Sequence, residues 1–109
     1  MDQSEAFKIA KEYAKIVIEN VNSVNKIVLY GSCAKGTMHE DSDIDVAVIV
    51  DSIKGNYLDA RVKLFRLKRD LDDRIEPILL INKDDPSDFL PHVLSTGKIL
   101  FDMTKGFLH

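Results

Sequence analysis

The stretch that decides the fold runs from Tyr30 to Val50 and reads YGSCAKGTMHEDSDIDVAVIV. It starts where a short apolar strand ends, Lys26 to Tyr30 (KIVLY), and it closes with a second strand, Asp43 to Val50 (DIDVAVIV). Both segments are short, apolar and rich in β-branched residues, as buried strands are. The link between them, residues 32–41, is too short for a parallel crossover that contains a full helix. We therefore expect an antiparallel or splayed pair of strands.

Two carboxylates, Asp43 and Asp45, open the second strand. Because side chains alternate between faces along a strand, residues two apart point to one side, about 6–7 Å from each other. Asp45 stands between Ile44 and Val46 at the head of an apolar run, where an unpaired charge would carry a large desolvation cost. Carboxylate oxygens are the ligands that Mg²⁺ favours, together with water and substrate phosphates. The pair is a candidate metal site, although a D-x-D motif at a strand start more often only caps that end of the strand at the surface.

Gly31 and Ser32 follow the first strand directly. Glycine lets the backbone turn sharply and lets a ligand approach closely. Ser32 offers a hydroxyl and a backbone N–H, and if a helical turn begins there, its N-terminus favours phosphate oxygens. Alone, this pair is an ordinary strand-ending turn. Gly31 and Gly36 form neither a P-loop nor a G-x-G-x-x-G motif, because the residues after them do not match either pattern.

Three helices are predicted around these strands. The first covers residues 4–21, with Ser4 as its N-cap and apolar residues at helical spacing. The second covers residues 57–72 and is charged and amphipathic. The third covers residues 87–96, with Ser87 as cap and Gly97 as stop. The apolar face predicted for the second helix consists of Leu58, Val62, Phe65 and Leu71.

A third strand is predicted at Ile75 to Ile81 (IEPILLI), where Pro77 indicates an edge strand or a bulge. Residues 99–101 could add a fourth short strand. The 57–72 helix can make the crossover from the second strand to the third. The predicted class is therefore α/β or α+β, with a small mixed sheet flanked by helices.

Composition limits the range of functions. With 109 residues and 45% hydrophobic content, the sequence is expected to form one globular domain, residues 1–109. Lys and Arg number 15 against 18 Asp and Glu, a net charge of −3, so direct nucleic-acid binding is disfavoured. The single cysteine, Cys33, fits a reducing compartment. The N-terminus lacks a signal-peptide pattern, and the apolar runs are too short to span a bilayer, so a soluble, cytoplasmic protein is expected.

The spacing of the two motifs is more specific than either motif alone. Ten residues separate Ser32 from Asp43, which gives the pattern G-S-x10-D-x-D, opened by one strand and closed by another. With Gly-Ser-Cys-Ala-Lys-Gly at 31–36 and Ser-Asp-Ile-Asp at 42–45, the sequence resembles the minimal nucleotidyltransferase group of the DNA polymerase beta superfamily. Lys35 stands where members of that group often carry Arg.

This resemblance implies a nucleotidyltransferase fold and a nucleoside triphosphate bound with two Mg²⁺ ions. Gly31 and Ser32 would hold the β- and γ-phosphates. Lys35 would either assist triphosphate binding or remain a solvated surface lysine.

The resemblance also implies that Asp43 and Asp45 are catalytic metal ligands and that a third carboxylate comes from a later strand. Here the candidate is Glu76, the one acid within the third strand. The alternative is that Glu76 faces solvent on an edge strand. Many relatives use Asp at this position, and Pro77 beside it could perturb the strand.

Minimal members of the group are commonly paired with a HEPN-family protein. The resemblance therefore implies an antitoxin that transfers AMP from ATP to a tyrosine hydroxyl of a HEPN-family partner. One alternative is a binding module that neutralises its partner by occlusion, without catalysis. A third hypothesis, transfer to a small molecule, is disfavoured because the chain has no room for an acceptor-binding domain.

Overall fold

The structure is a computed structural model that describes residues 2–36, 43–82 and 89–108. It contains four helices and five strands in these ranges. In chain order they are α1 (Gln3–Asn20), β1 (Val24–Tyr30), α2 (Ser32–Lys35), β2 (Ile44–Val50), α3 (Tyr57–Arg69), β3 (Ile75–Ile81), α4 (Phe89–Thr96), β4 (Lys98–Asp102) and β5 (Gly106–Phe107).

The five strands form one mixed sheet in the order β3-β2-β1-β4-β5. β1 pairs antiparallel with β2 and with β4, β4 pairs antiparallel with β5, and β2 pairs parallel with β3. The antiparallel first pair and the parallel crossover through α3 are both as the sequence predicts. β3 lies at the edge of the sheet, which explains how Pro77, having no backbone N–H to donate, is accommodated there.

Helices cover both faces of the sheet. α1 and α3 lie on one face and enclose the larger core, which receives alternate residues of β1, β2 and β3. α4 lies on the other face over a smaller core, with Val93 fully buried. The predicted fold class, a mixed sheet flanked by helices, is confirmed.

The start of α1 differs from the prediction. Asp2, not Ser4, is the N-cap: its side chain accepts a hydrogen bond of 2.8 Å from the backbone N–H of Glu5, and the helix covers residues 3–20. Asp and Ser are about equally good caps. The N-cap is the last residue with a non-helical backbone before the helix, and here that residue is Asp2, whose backbone is extended.

The predicted apolar face of α3 is wrong in most of its members. Leu58 and Val62 are exposed, and Phe65 is half-buried. The side that packs on the core consists of Ala60, Leu64, Leu67 and Leu71. Both sets have helical spacing, so periodicity alone could not decide between them. The helix also ends at Arg69, three residues earlier than predicted.

The C-terminal elements differ in smaller ways. α4 is described from Phe89, and its predicted cap, Ser87, lies outside the described residues. Pro91 lies in the first turn of α4, where no intrahelical N–H is needed. The fourth strand is longer than predicted, Lys98–Asp102, and β5 was not predicted. No helix in the described parts of the chain is long and apolar enough to cross a membrane.

Tyr13 joins α1 to α3 through the larger core. Its side chain is fully buried, and its hydroxyl donates a hydrogen bond of 2.8 Å to the backbone carbonyl of Leu64. We expect Tyr13→Phe to lower the free energy of unfolding by about 1 kcal/mol, the usual loss for one buried hydrogen bond. Urea denaturation measures this loss. Tyr57→Phe is the matched control, because the Tyr57 hydroxyl also donates to a carbonyl, that of Leu79, but its side chain is exposed. Equal losses for the two variants would contradict the prediction.

Candidate active site

The candidate site lies where three strands meet at one end of the sheet. Tyr30, the last residue of β1, is paired with Asp45 of β2, and Asp45 is paired with Glu76 of β3. This register follows from the topology, because the antiparallel β1 ends where the parallel strands β2 and β3 begin. Three side chains distant in sequence therefore form one row across the sheet.

The carboxylate of Asp45 lies on the α4 face of the sheet. Its neighbours Ile44 and Val46 pack into the larger core on the opposite face, whereas Ala47 packs into the smaller core on the α4 face. Side chains alternate along a strand, so Asp45 shares the face of Ala47. Asp43 precedes β2 by one residue and is exposed, at the same end of this face.

Glu76 lies on the same face as Asp45. Its neighbour Ile75 packs into the larger core, and Ile78, two residues further on, packs into the smaller core beneath α4. The alternation along β3 therefore directs Glu76 to the α4 side, next to the carboxylate with which it is in register. The structure places Asp43, Asp45 and Glu76 on one face at one end of the sheet, although Glu76 does lie on an edge strand and is half-buried.

The electrostatics of Asp45 show the effect of this proximity. Burial, followed by the negative charges of Asp43 and Glu76, raises the pKa of Asp45 from its usual 3.8 to about 6. Like charges at short range disfavour ionisation of one another. A cation placed among these carboxylates would relieve the repulsion.

Gly31 makes the close approach of β1 to Asp45 possible. Its φ is +74°, in the left-handed region that favours glycine, and a Cβ at this position would collide with Oδ2 of Asp45. The helical turn α2 begins directly after it, and the N–H of Lys35 donates to the carbonyl of Gly31 at 3.2 Å. The backbone of Ser32 thus starts a helical turn beside Asp45, whereas Lys35 is exposed at the end of that turn.

Tyr30 lies beside the candidate carboxylates, although no sequence pattern selected it as a candidate residue. The side chain is half-buried and packs edge-on against Phe89 of α4, with 5.7 Å between the ring centroids. Burial, followed by the charges of Asp45 and Glu76, raises the pKa of the Tyr30 hydroxyl to about 12. The phenol therefore keeps its proton at neutral pH and can donate a hydrogen bond. The antiparallel register with β2 would have revealed this position.

The donor set suits a hard divalent cation, because all three side chains offer carboxylate oxygens. Within residues 2–36, 43–82 and 89–108, no group of three or more His, Cys, Asp or Glu side chains is gathered closely enough to form a metal cluster as it stands. Asp43 and Glu76 share a face with Asp45 and raise its pKa. To be held by all three side chains, a cation would have to draw their carboxylates closer to one another. Asp43 is exposed and Glu76 half-buried, which leaves room for this movement.

Comparison with known proteins places the chain in a family. The family described as "Polymerase beta, Nucleotidyltransferase" matches residues 11–105. A protein of Methanocaldococcus jannaschii, named as a candidate protein adenylyltransferase, is 34% identical over 80 residues, which cover 72% of this chain and 79% of the relative. The chain therefore belongs to the polymerase beta nucleotidyltransferase family.

Solved structures share the fold of this chain. A candidate nucleotidyltransferase from Sulfolobus solfataricus has a TM-score of 0.72 at 23% identity, covering 97% of this chain and 88% of that one. A toxin–antitoxin structure with AMP-PNP has a TM-score of 0.67 at 28% identity, covering 87% of this chain and 75% of that one. A complex of tri-AMPylated Shewanella oneidensis HEPN toxin with MNT antitoxin has a TM-score of 0.61 at 23% identity, covering 94% of this chain and 75% of that one. The resemblance to minimal nucleotidyltransferases is confirmed, and the protein is a nucleotidyltransferase.

The raised pKa of Asp45 predicts a pH-dependent effect on stability. Because the folded chain holds this proton more tightly than the unfolded chain, ionised Asp45 destabilises the fold as the pH rises from about 4 to about 6, and the cost is constant above that range. We expect Asp45→Asn, with EDTA present, to raise the free energy of unfolding at pH 8 by roughly 1 kcal/mol, allowing for solvent screening of a half-exposed group. The gain should shrink towards pH 4. Thermal denaturation across this pH range measures it.

The exposed Asp73 provides the control, since Asp73→Asn should give no such pH-dependent gain. A loss of stability in Asp45→Asn that is the same at pH 4 and pH 8 would contradict the assignment.

The contact between Gly31 and Asp45 predicts energetic coupling. Gly31→Ala adds a Cβ both to a left-handed backbone and against Oδ2 of Asp45. Gly55→Ala is the matched control, because Gly55 has φ +86° and no atoms within 4 Å of its added Cβ. We expect Gly55→Ala to cost about 1–2 kcal/mol, the usual left-handed penalty, and Gly31→Ala to cost more. In the double variant with Asp45→Ala, the excess over Gly55→Ala should disappear in urea denaturation. Strict additivity would show that the contact has no energetic effect.

Proposed function

We propose that this chain is a Mg²⁺-dependent nucleotidyltransferase that transfers AMP from ATP to a hydroxyl group of a partner protein. We further propose that it is the antitoxin of a pair whose toxin belongs to the HEPN family. The proposal treats residues 1–109 as one minimal nucleotidyltransferase domain acting in the cytoplasm, where ATP is available and its single cysteine stays reduced.

One observation carries the catalytic part of the proposal. Asp43, Asp45 and Glu76 share one face at one end of the sheet, beside the glycine turn that opens the G-S-x10-D-x-D pattern. A protein that only bound its partner would gain nothing from three mutually repelling acids at a half-buried strand end. Such an arrangement loses stability unless positive charge is supplied, which supports a role in holding cations.

The proposed reaction makes one bond and breaks one. The hydroxyl oxygen of the partner bonds to the α-phosphorus of ATP, the bond from that phosphorus to the bridging oxygen breaks, and pyrophosphate leaves with the electron pair. The hydroxyl proton passes to the carboxylate cluster or to water. Transfer of this kind depends chiefly on positioning and on stabilising charge.

Each residue of the site has a role in that step. The turn at Gly31 brings the backbone directly against the carboxylate of Asp45. The backbone N–H groups at the start of α2, from Ser32, can donate to the β- and γ-phosphate oxygens. Tyr30 holds its proton and can donate to a phosphate oxygen at the same edge. Lys35 at the end of α2 can add positive charge near the outer phosphates.

Asp43, Asp45 and Glu76 would hold the divalent cations, and two such ions supply Lewis-acid activation of the attacking oxygen and stabilisation of the leaving oxygen. The carboxylates fix the cations relative to the strand ends. Glu in place of Asp on β3 adds one methylene, which lets an edge-strand side chain reach towards Asp45.

The proposed acceptor and partner rest on the relatives. The Methanocaldococcus jannaschii relative carries the name of a protein adenylyltransferase, and one similar structure is a toxin–antitoxin complex with AMP-PNP. Another holds a HEPN toxin that is itself AMPylated. These names support ATP as donor and a HEPN protein as acceptor for this chain.

The proposal predicts labelling of the partner. Incubation with ATP labelled in its α-phosphate, Mg²⁺ and the protein encoded by the adjacent gene should place label on that protein. Asp43→Ala and Asp45→Ala should each lower the labelling rate by about 100-fold or more, because removal of one group that stabilises transition-state charge has effects of this size. EDTA should abolish labelling, and Asp73→Ala, which removes an acid outside the site, should leave the rate unchanged.

Two results would overturn the proposal. Full neutralisation of the toxin by both alanine variants would favour occlusion as the mechanism. Transfer of label to a small-molecule hydroxyl, with none on the partner, would replace the protein acceptor.

A further inference from the structure

Helix α3 carries two apolar stripes on opposite sides. The inner side packs on the core and contains Leu64, which is 2% exposed. We call Leu58, Val62 and Phe65 the outer stripe; Leu58 is 64% exposed, Val62 is 46% exposed and Phe65 is half-buried. At 3.6 residues per turn, these three lie within an arc of about 60°, and the arc is centred about 160° from the inner side. The core therefore does not account for the outer stripe.

Positive charge is concentrated around this stripe. The 13 residues of α3 include five basic residues and one acid, Asp59, although the whole chain has a net charge of −3. Arg61 and Arg66 are exposed on either side of the outer stripe, and Arg69 is exposed at its end. We call these three arginines the basic rim. The helix thus presents an apolar centre bordered by cations.

The outer stripe leads to the candidate active site. α3 starts near the far end of β3, where the Tyr57 hydroxyl donates to the carbonyl of Leu79, and it runs about 20 Å back to the end where Glu76 lies. β3 is the edge strand of the sheet. A chain lying along α3 can therefore pass over that edge and bring a hydroxyl group to the carboxylates without crossing the rest of the sheet.

We infer that the outer stripe and the basic rim of α3 are the docking surface for an acidic amphipathic helix of the partner protein; this inference rests on the proposed function. Apolar side chains of that helix would cover Leu58, Val62 and Phe65, and its acidic side chains would pair with the rim, as helix-to-helix docking requires. A second copy of this chain does not fit, because two basic rims would repel each other. A nucleic acid fits less well, because phosphates gain nothing from an exposed Leu–Val stripe.

The test measures binding of the partner separately from catalysis. Isothermal titration of the adjacent-gene protein, without ATP or Mg²⁺, should give a Kd that rises at least tenfold for Leu58→Ser/Val62→Ser. The charge reversal Arg61→Glu/Arg66→Glu should have a similar effect. Replacing an acid of the docking helix by Lys should restore much of the affinity lost by the charge-reversed variant.

Matched controls separate this surface from general effects. Met103→Ser removes a side chain that is 54% exposed in the turn between β4 and β5, and Lys8→Glu/Lys15→Glu reverses two exposed cations on α1. Both controls should keep the wild-type Kd. All variants should bind Mg-ATP as the wild type does, because α3 lies on the face opposite the carboxylates, and far-UV circular dichroism should confirm that they fold.

The outcomes distinguish this inference from the proposed function. Wild-type binding that the stripe variants lose supports the docking surface even if no AMP is transferred. Stripe and rim variants that bind and label the partner as well as the wild type overturn the inference and leave the catalytic proposal intact. Competition for α3 by single-stranded RNA, with no loss of partner binding in the variants, would also overturn it.

Discussion

The register of β2 against its two neighbours is the constraint on which the site depends. β2 is buried on both faces along most of its length, so its register with β1 and β3 is fixed by hydrophobic packing on each side. A slip of one residue would move Asp45 into the larger core and Val46 onto the open face. The cores that stabilise the sheet therefore also fix the position of the carboxylates.

That constraint explains why the site combines stable and unfavourable features. Asp45 is half-buried beside two other acids, and its pKa is raised by burial and by their charge. Gly31 permits the adjoining turn by occupying a backbone region that other residues avoid. Neither feature strengthens the fold. Packing of the neighbouring apolar strand residues holds both features in place. Locally unfavourable charge and backbone conformation of this kind are typical of functional sites.

The sequence predicted the placement of the candidate carboxylates better than it predicted the packing of α3. The two-residue spacing of Asp43 and Asp45 predicts a shared side of the chain, and Pro77 predicted either an edge strand or a bulge at β3. Both predictions depend only on local geometry. The place of Glu76 beside Asp45 came from a family resemblance, and the parallel register accounts for it physically. The sequence did not indicate that Tyr30 lies beside Asp45, because pairing between β1 and β2 sets this contact and no local sequence pattern encodes it.

The failures share one cause. α3 has apolar residues at helical spacing on two sides, and the sequence does not say which side meets the sheet. β5 has two residues, too few for any periodicity, and it exists because a turn closed by Asp102 and Thr104 returns the chain to β4. In both cases the decisive information is tertiary. The outer stripe of α3, which the core does not cover, is the surface on which we infer that a partner docks.

The position of β1 in the sheet affects how the chain is made. β1 lies between β2 and β4, yet β4 follows it by about 70 residues. At roughly 5–20 residues per second, a ribosome needs several seconds to produce Lys98–Asp102 after Tyr30 has been added. During that interval one side of β1 is an open edge, ready to pair with any strand nearby. Asn25 and Lys26, polar residues at the start of an otherwise apolar strand, are the kind of residues that discourage such pairing in a nascent chain.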